Sequence, residues 1–497
     1  MTHFPNPHLS VGRRLSTLVI VLLFAGVPGA WAQCTGPVGD LAEAARCTAH
    51  RHLPGLEAKI DPEHAYTLSE LIGMAESSNP QTRIAWEQAR QAAEAAGAVR
   101  SEYLPHLAGL AVLGNEKFIN PFPKPLAPAG FTMVENPSAD AGLAVSYTIL
   151  DFGQRHAHLE HARAIQLAAA GHFQRENQDV AFGVVTAYYQ LVNAQETLAA
   201  RSKILEMERA TQAAAEAQLA NGRATLPDVL DARAGTARAE YEMEAAIGGE
   251  QAARVNLREA VGAEPSDQIR IQSLTEEDDS DRTASITALL ETAQKDRPDL
   301  AALVERLQGS QQNLKAAEST YWPTVEFAAK GSVLSIWPTV SKQDGSSLGD
   351  TTQFVWNAGL RIHWDFFDGG LRRSAVLARA SEQRQAAEEL RAGQDEVTRA
   401  TWMAFVQYKT ALRQRQAAHA LLTAAESSYA SSLDAYHYGV KNLIDLEHAE
   451  SQLAEARLAD VEAHSSLLTS AANLGYTTGT LLRQGQEQPT SPEVPTK

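Results

Sequence analysis

Cysteine is almost missing from this chain of 497 residues: only Cys34 and Cys47 occur. A fold stapled by several disulfides is excluded, and so is a Cys-x2-Cys metal knuckle. Aromatic residues are scarce as well, at 6%, while alanine is abundant, which points away from several compact cores and toward elongated helical packing. Positive charge is in deficit, with 43 Lys and Arg against 60 Asp and Glu and a formal net charge of −17, so nucleic acid is not an expected partner. After Ala32 no run approaches the roughly 18 apolar residues of a membrane helix, so any bilayer crossing must be made by strands. The nucleotide-binding Gly-x4-Gly-Lys loop, His-Glu-x2-His and Gly-x-Ser-x-Gly are all absent. The expectation is a non-enzymatic chain with no cofactor and no metal.

Proline is missing from two stretches of 67 residues each, Gln154 to Ala220 and Leu371 to His437. Ala, Gln, Glu and Arg dominate the first, and Val185, Tyr188 and Val192 recur at three-and-four spacing, with Leu198 after a polar Gln195. At about 1.5 Å per residue each stretch makes a rod roughly 100 Å long. In the second rod Trp402 and Phe405 stand where the first has Val185 and Tyr188.

At the amino terminus Arg13 and Arg14 precede an apolar run from Leu15 to Ala25, and Ala30-Trp31-Ala32 fits small-x-small cleavage. Residues 1–32 read as a signal peptide, whose loss of two arginines takes the charge from −17 to −19. Cys34 raises acylation, which Gln33 disfavours, and a Cys34–Cys47 disulfide and two unpaired thiols both stay open. A flexible leader over 33–65 and a disordered tail over 480–497 are expected.

A helical pattern begins near Tyr66 and restarts at Asn79-Pro80, an Asn cap with Pro at the first helical position. A strand follows from His106, then an irregular loop from Gly114 to Ser138 holding Pro121, Pro123, Pro125, Pro128 and Pro137. From Ala141 to Phe152, Leu143, Val145, Tyr147 and Ile149 alternate with Ala144, Ser146 and Thr148, the period of a two-faced strand. The first rod stops at Asn221-Gly222, and Pro227 opens a returning helix to about Val261. This first repeat, 66–262, is followed by a linker over 263–297, in which Glu276-Glu277-Asp278-Asp279 reads as solvated, and then by a second repeat over 298–479.

The register is close to constant. Tyr321-Trp322-Pro323 falls 218 residues after Tyr103-Leu104-Pro105, while Ala358-Gly359-Leu360 and Gly439 fall 217 after Ala141-Gly142-Leu143 and Gly222. The chain is an internal duplication. In the strand from Ala358 to Phe366, Leu360, Ile362, Trp364 and Phe366 face one way and Arg361, His363 and Asp365 the other. Tyr103, Phe152, Trp322, Trp356 and Phe367 gather near strand ends, as a girdle at a bilayer interface would. Four such strands cannot close a spanning barrel, and open edges are not tolerated in lipid, so the chain must oligomerise.

The junctions Ile149-Leu150-Asp151-Phe152-Gly153 and Phe366-Phe367-Asp368-Gly369-Gly370, with Arg297-Pro298-Asp299-Leu300 and Tyr321-Trp322-Pro323, resemble hallmarks of the TolC-type outer membrane efflux protein family. The resemblance covers roughly Tyr66 to Gly479. It implies a mixed α+β membrane protein: a homotrimer whose twelve-stranded β-barrel in outer-membrane lipid continues into a twelve-helix periplasmic α-barrel. It also implies a passive exit duct of a Gram-negative outer membrane, working with a periplasmic adaptor (membrane fusion) protein and an inner-membrane transporter.

Carried over residue by residue, the resemblance places strand–helix junctions at Asp151, Gly153, Asp368 and Gly369, and adaptor-docking tips at Gly222 and Gly439. It places a periplasmic gate at Asp228, Tyr436, Lys441, Asp445 and His448. Lys441 replaces an arginine and loses its bidentate fork, and His448 replaces a second aspartate. A gate whose cation selectivity changes as His448 loses its proton is the expectation. A protein-secretion channel and a pore-less periplasmic coiled-coil scaffold are the alternatives. His156, His158 and His161 beside Glu160 invite a metal reading, but only His158 and His161 share a helix face, so exposed histidines are expected.

Overall fold

The computed structural model describes residues 60–121, 123–124, 129–263, 269–272, 285–337, 339–340 and 351–484. The signal peptide, both cysteines and the Glu276–Asp279 run lie outside them. Six helices come in pairs of equal length: α1 (Leu68–Ser78) with α5 (Ile286–Asp296), α2 (Pro80–Ser101) with α6 (Pro298–Ser319), and α3 (Gln154–Ala220) with α7 (Leu371–His437). A fourth pair is α4 (Leu226–Val261) with α8 (Leu443–Thr478), and a single turn, α9 (Leu481–Gln484), follows. The two rods span the proline-free stretches residue for residue. Their partners begin with caps: Thr225 and Asn442 each close a capping box with the aspartate three residues on, Asp228 and Asp445.

Helix α5 corrects the linker reading of 263–297. With apolar Ile286, Leu289, Leu290 and Ala293 at helical spacing and Ser285 capping Ala288 N–H at 3.4 Å, it is the counterpart of α1, so the second repeat starts before Pro298. The leader is also not flexible to its end. Strand β1 (Ala65–Tyr66) pairs in parallel with β4 (Arg270–Ile271), and Ile60 and Tyr66 are buried in the main core with Leu71, Val184, Tyr188, Leu191 and Leu257.

The sheet runs β2 (His106–Pro121), β3 (Phe131–Leu150), β5 (Thr324–Ile336), β7 (Thr351–His363), antiparallel throughout, with the short β6 (Thr339–Val340) beside the far part of β3. The irregular loop expected at Gly114 to Ser138 is therefore mostly a long hairpin. Pro121 ends β2, and Pro137 lies where the β3–β5 register begins at Ser138, its carbonyl accepting from Trp337 N–H at 3.0 Å. Strand β7 also starts earlier and ends earlier than its alternation suggests. Trp364 and Phe366 lie beyond it, and the Trp364 indole donates to the Tyr321 carbonyl at 3.1 Å.

The rods set the rest in place. Helix α3 packs against α2 and α6 near the sheet and against α4 and α8 farther away, whereas α7 packs against α5, α6 and α8. Burial follows from this difference. Val185 is 2% exposed and its counterpart Trp402 is 46% exposed.

Candidate functional site

Cross-strand partners share a face, so the register sorts the sheet into two surfaces. One carries Leu107, Leu143, Val333, Trp356, Leu360 and Ile362, all exposed although apolar, with Trp356 at 73%. The other carries Ser146, Thr148, Asn357 and His363, with two cross-strand ion pairs, Lys330 to Asp140 at 2.5 Å and Arg361 to Glu326 at 3.7 Å. Such a sheet wants lipid on one side and water on the other. Gly142 is needed on the wet face, because a Cβ there would meet the Gly331 carbonyl oxygen at 2.3 Å. Strands β2 and β7 are the two ends of the sheet, each with one edge unpaired among the described residues.

At each passage from strand to rod the chain builds the same clamp twice. Asp151 accepts from Gly153 N–H at 3.3 Å, Arg155 N–H at 3.0 Å and Arg155 Nε at 2.6 Å, and Asp368 accepts from Gly370 N–H at 2.9 Å, Arg372 N–H at 2.9 Å and Arg372 Nε at 2.7 Å. Each arginine then reaches back to the preceding helix, donating at 3.4 Å to the Glu102 or the Thr320 carbonyl. Each also covers a tyrosine ring, Arg155 on Tyr103 at 5.2 Å and Arg372 on Tyr321 at 5.4 Å. Gly153 and Gly370 have φ of 91° and 95°, and Gly369 has φ of 68° where the first copy strains Phe152 to 51°. The hydrogen bonds from Arg372 and Gly370 pull the Asp368 carboxyl down to about 2. Burial pushes Asp151 upward, but its bonds to Arg155 outweigh that and leave it lowered. Sequence reasoning found the aspartates and glycines and missed Arg155 and Arg372.

Midway along the rods a second clamp ties the repeats together. Arg297 grips Asp299 through two bonds of 3.0 and 2.5 Å and donates to the Thr477 carbonyl at 3.2 Å. Tyr476 donates to Asp179 at 2.7 Å, lies under Arg175 at 4.0 Å and stacks on Phe182, and burial with that hydrogen bond lifts its hydroxyl to about 12. Beside it a groove of about 770 Å³ between α3, α7 and α8 is lined by hydroxyl and amide side chains such as Thr186, Asn193, Gln407 and Ser466, together with Glu462 and the apolar Phe182, Val406 and Ala411.

The hairpin tips bend at Gly222 and Gly439, with φ of 70° and 73°. Around them Asp228 accepts from Thr225 N–H and Oγ1 at 2.7 and 2.8 Å, which lowers its carboxyl, and Lys441 donates to Ser432 at 3.0 Å. Asp445 is exposed in its capping box, and the exposed His448 ring nitrogen Nε2 lies 3.2 Å from Gln452. Tyr436 is buried against Leu443 and Leu446, its hydroxyl pushed up by burial and then by Asp228, Glu447 and Glu450. The five residues thus gather at one end of the helices, with the hydrogen bonds of Asp228, Lys441 and Asp445 kept within their own hairpins while Tyr436 feels Asp228 of the other. His161, of the histidine trio, hydrogen-bonds through Nδ1 to the Gly309 carbonyl at 2.8 Å.

A family model described as "Outer membrane efflux protein" matches residues 71–263 and 289–480. The outer membrane efflux protein BepC of Brucella suis is 24% identical over 68% of this chain and 71% of its own. Protein CyaE of Bordetella pertussis is 28% identical over 84% of each chain. Among solved structures, the outer membrane protein VceC of Vibrio cholerae is similar with a TM-score of 0.68 and 19% identity, covering 83% of this chain and 96% of that one.

Proposed function

The chain belongs to the outer membrane efflux protein family, seated in the outer membrane of a Gram-negative bacterium and reaching into the periplasm, and we propose that it is the passive exit duct of a tripartite efflux system. The observation that carries this reading is the sheet: four strands with one apolar face, one wet face and two unpaired edges, continuous with rods too long for a compact core. Lipid tolerates no open edge, so β7 of one copy pairs with β2 of the next until the ring closes. Three copies give twelve strands and, below them, a helical tunnel. The wet face and the groove of hydroxyls and amides line the path. Asp228, Tyr436, Lys441, Asp445 and His448 constrict its far end, and the tips at Gly222 and Gly439 receive a periplasmic adaptor that couples the duct to an inner-membrane transporter.

The test is the purified protein in detergent and in planar bilayers. A trimeric mass and single-channel conductance are expected, and loss of the gene should raise susceptibility to a panel of small toxic solutes. A monomer that stays soluble without detergent would overturn the reading.

A further inference from the structure

The core stripe of α8 near the tips runs Leu443, Leu446, Glu450, Leu453, the three-and-four spacing of a helix–helix seam. Glu450 holds an apolar position in that stripe. Below it Leu443 and Leu446 pack with Tyr436, and above it Leu453 and Ala456 pack with Ile204 and Met207 of α3. The carboxyl is 1% exposed, the most buried acid among the described residues. Thr211 of α3 donates to its Oε1, while Oε2 is sealed from solvent with no hydrogen-bond partner. Glu250, the other deeply buried glutamate, has Arg254 as its ion-pair partner, whereas Glu450 joins no ion pair among the described residues.

The groups around Glu450 add no compensating charge. Glu208 on α3 precedes Thr211 by one turn, Glu447 on α8 precedes Glu450 by one turn, and Tyr429 and Tyr436 face it from α7. Farther out, Asp228 and Asp231 of α4 act on Glu447, while Arg238 and Glu242 act on Glu208. Of the nearby cations, Arg457 is paired with Glu426 at 3.7 Å and Lys441 is bonded to Ser432. An ionised carboxylate in this position has no counter-ion among the described residues and its Oε2 has no access to solvent.

We propose that Glu450 is a proton-operated latch: protonated, it seals α8 to α3 above the tips, and ionised, it drives the two helices apart beside Glu208 and Glu447 and frees the periplasmic end to open. Burial, followed by the neighbouring acids and opposed by the Thr211 hydrogen bond, lifts the carboxyl to about 7 from an ordinary value of 4.5. Because the packed value is the higher one, the stabilisation is complete below pH 4.5 and is lost as pH rises through about 7. Between pH 5.5 and 8 the sealed-to-open ratio falls on the order of 30-fold if the released carboxyl returns to its ordinary value.

The effect on opening rests on the duct reading, but the latch itself does not. Hydrogen exchange over residues 204–215 and 443–457 of the purified full chain, corrected for the intrinsic pH effect, reads the seam, and bilayer conductance reads the opening. Wild type should lose protection about tenfold or more from pH 5.5 to 8, with open probability rising in step. Glu450→Gln keeps the shape without the charge and should stay protected at both values. Glu450→Leu, which makes the stripe wholly apolar, should do the same. Equal protection in wild type at both pH values, or a wild-type response in both variants, overturns the latch. Conductance that is present but independent of pH removes the latch and leaves the duct. A seam that opens with pH in a protein that never conducts removes the duct and leaves the latch.

Discussion

Replacing Asp151 by Ala strips the clamp at the head of α3 of its acceptor. Gly153 and Arg155 N–H lose their cap, worth about 1 kcal/mol, and Arg155 loses a charge-assisted bond of about 1.5–3 kcal/mol. The upper part of that range applies because both side chains are largely covered, 11% exposed for Asp151 and 14% for Arg155. Together the change costs about 2.5–4 kcal/mol, or about 60-fold or more in the rate of heat-induced unfolding, since every 1.4 kcal/mol is about tenfold. Gel assays of the folded oligomer against time at one temperature measure it. In an Arg155→Ala background the same change should cost only the cap, so the double variant falls short of additivity by about 1.5–3 kcal/mol. Additivity within about 0.5 kcal/mol would refute the coupling of cap and guanidinium.

The lipid-facing assignment of the sheet is tested by Leu360→Arg, expected to cost about 2–4 kcal/mol and to lower the yield of folded protein in membranes, whereas Asn357→Arg on the wet face should be tolerated. If His448 lines the conduction path at the tips, His448→Asp adds a fixed negative charge there and should raise cation selectivity, read as a shift in reversal potential. An unchanged reversal potential would remove His448 from the conduction path.

The helical half of this fold is legible in the sequence because proline and turn residues punctuate it sharply: both rods begin and end where Gly153, Asn221, Gly370 and Tyr438 stand. Helix α5 is harder to see, since eleven residues carry too few apolar repeats to stand out from a polar linker. Strand ends are obscured for a different reason. A proline cluster reads as loop, yet Pro137 and Pro121 sit where no ladder donor is required of them. Arg155 and Arg372 were legible in principle, as Asp-x-Gly-x-Arg recurs at a spacing of 217 residues, but an arginine on a helix start opposes the dipole and so drew no attention. Glu450 carried a signal too, in the leucines at three-and-four spacing on either side of it. Its unpaired burial could be known only once α3 was placed against α8.

If copies close into the proposed ring, the unequal surroundings of the two rods set which surfaces meet. Helix α3 packs against α2 and α4 of its own repeat and also against α6 and α8 of the second, while α7 packs against α6 and α8 of its own repeat and, among the described residues, against no second such pair. A shift by one repeat therefore maps the vacant flank of α7 onto the α2 and α4 of another copy, the same direction in which β7 offers its edge to β2. Such an interface is heterologous, joining two different surfaces, and it must close into a ring to leave neither exposed. In the proposed ring Trp402, 46% exposed where Val185 is buried, would stand in that seam. Trp402→Glu should dissociate the oligomer in detergent while the core around Tyr188 and Leu257 keeps its protection from hydrogen exchange. An oligomer of unchanged mass and stability would mean that α7 turns some other face to its neighbour.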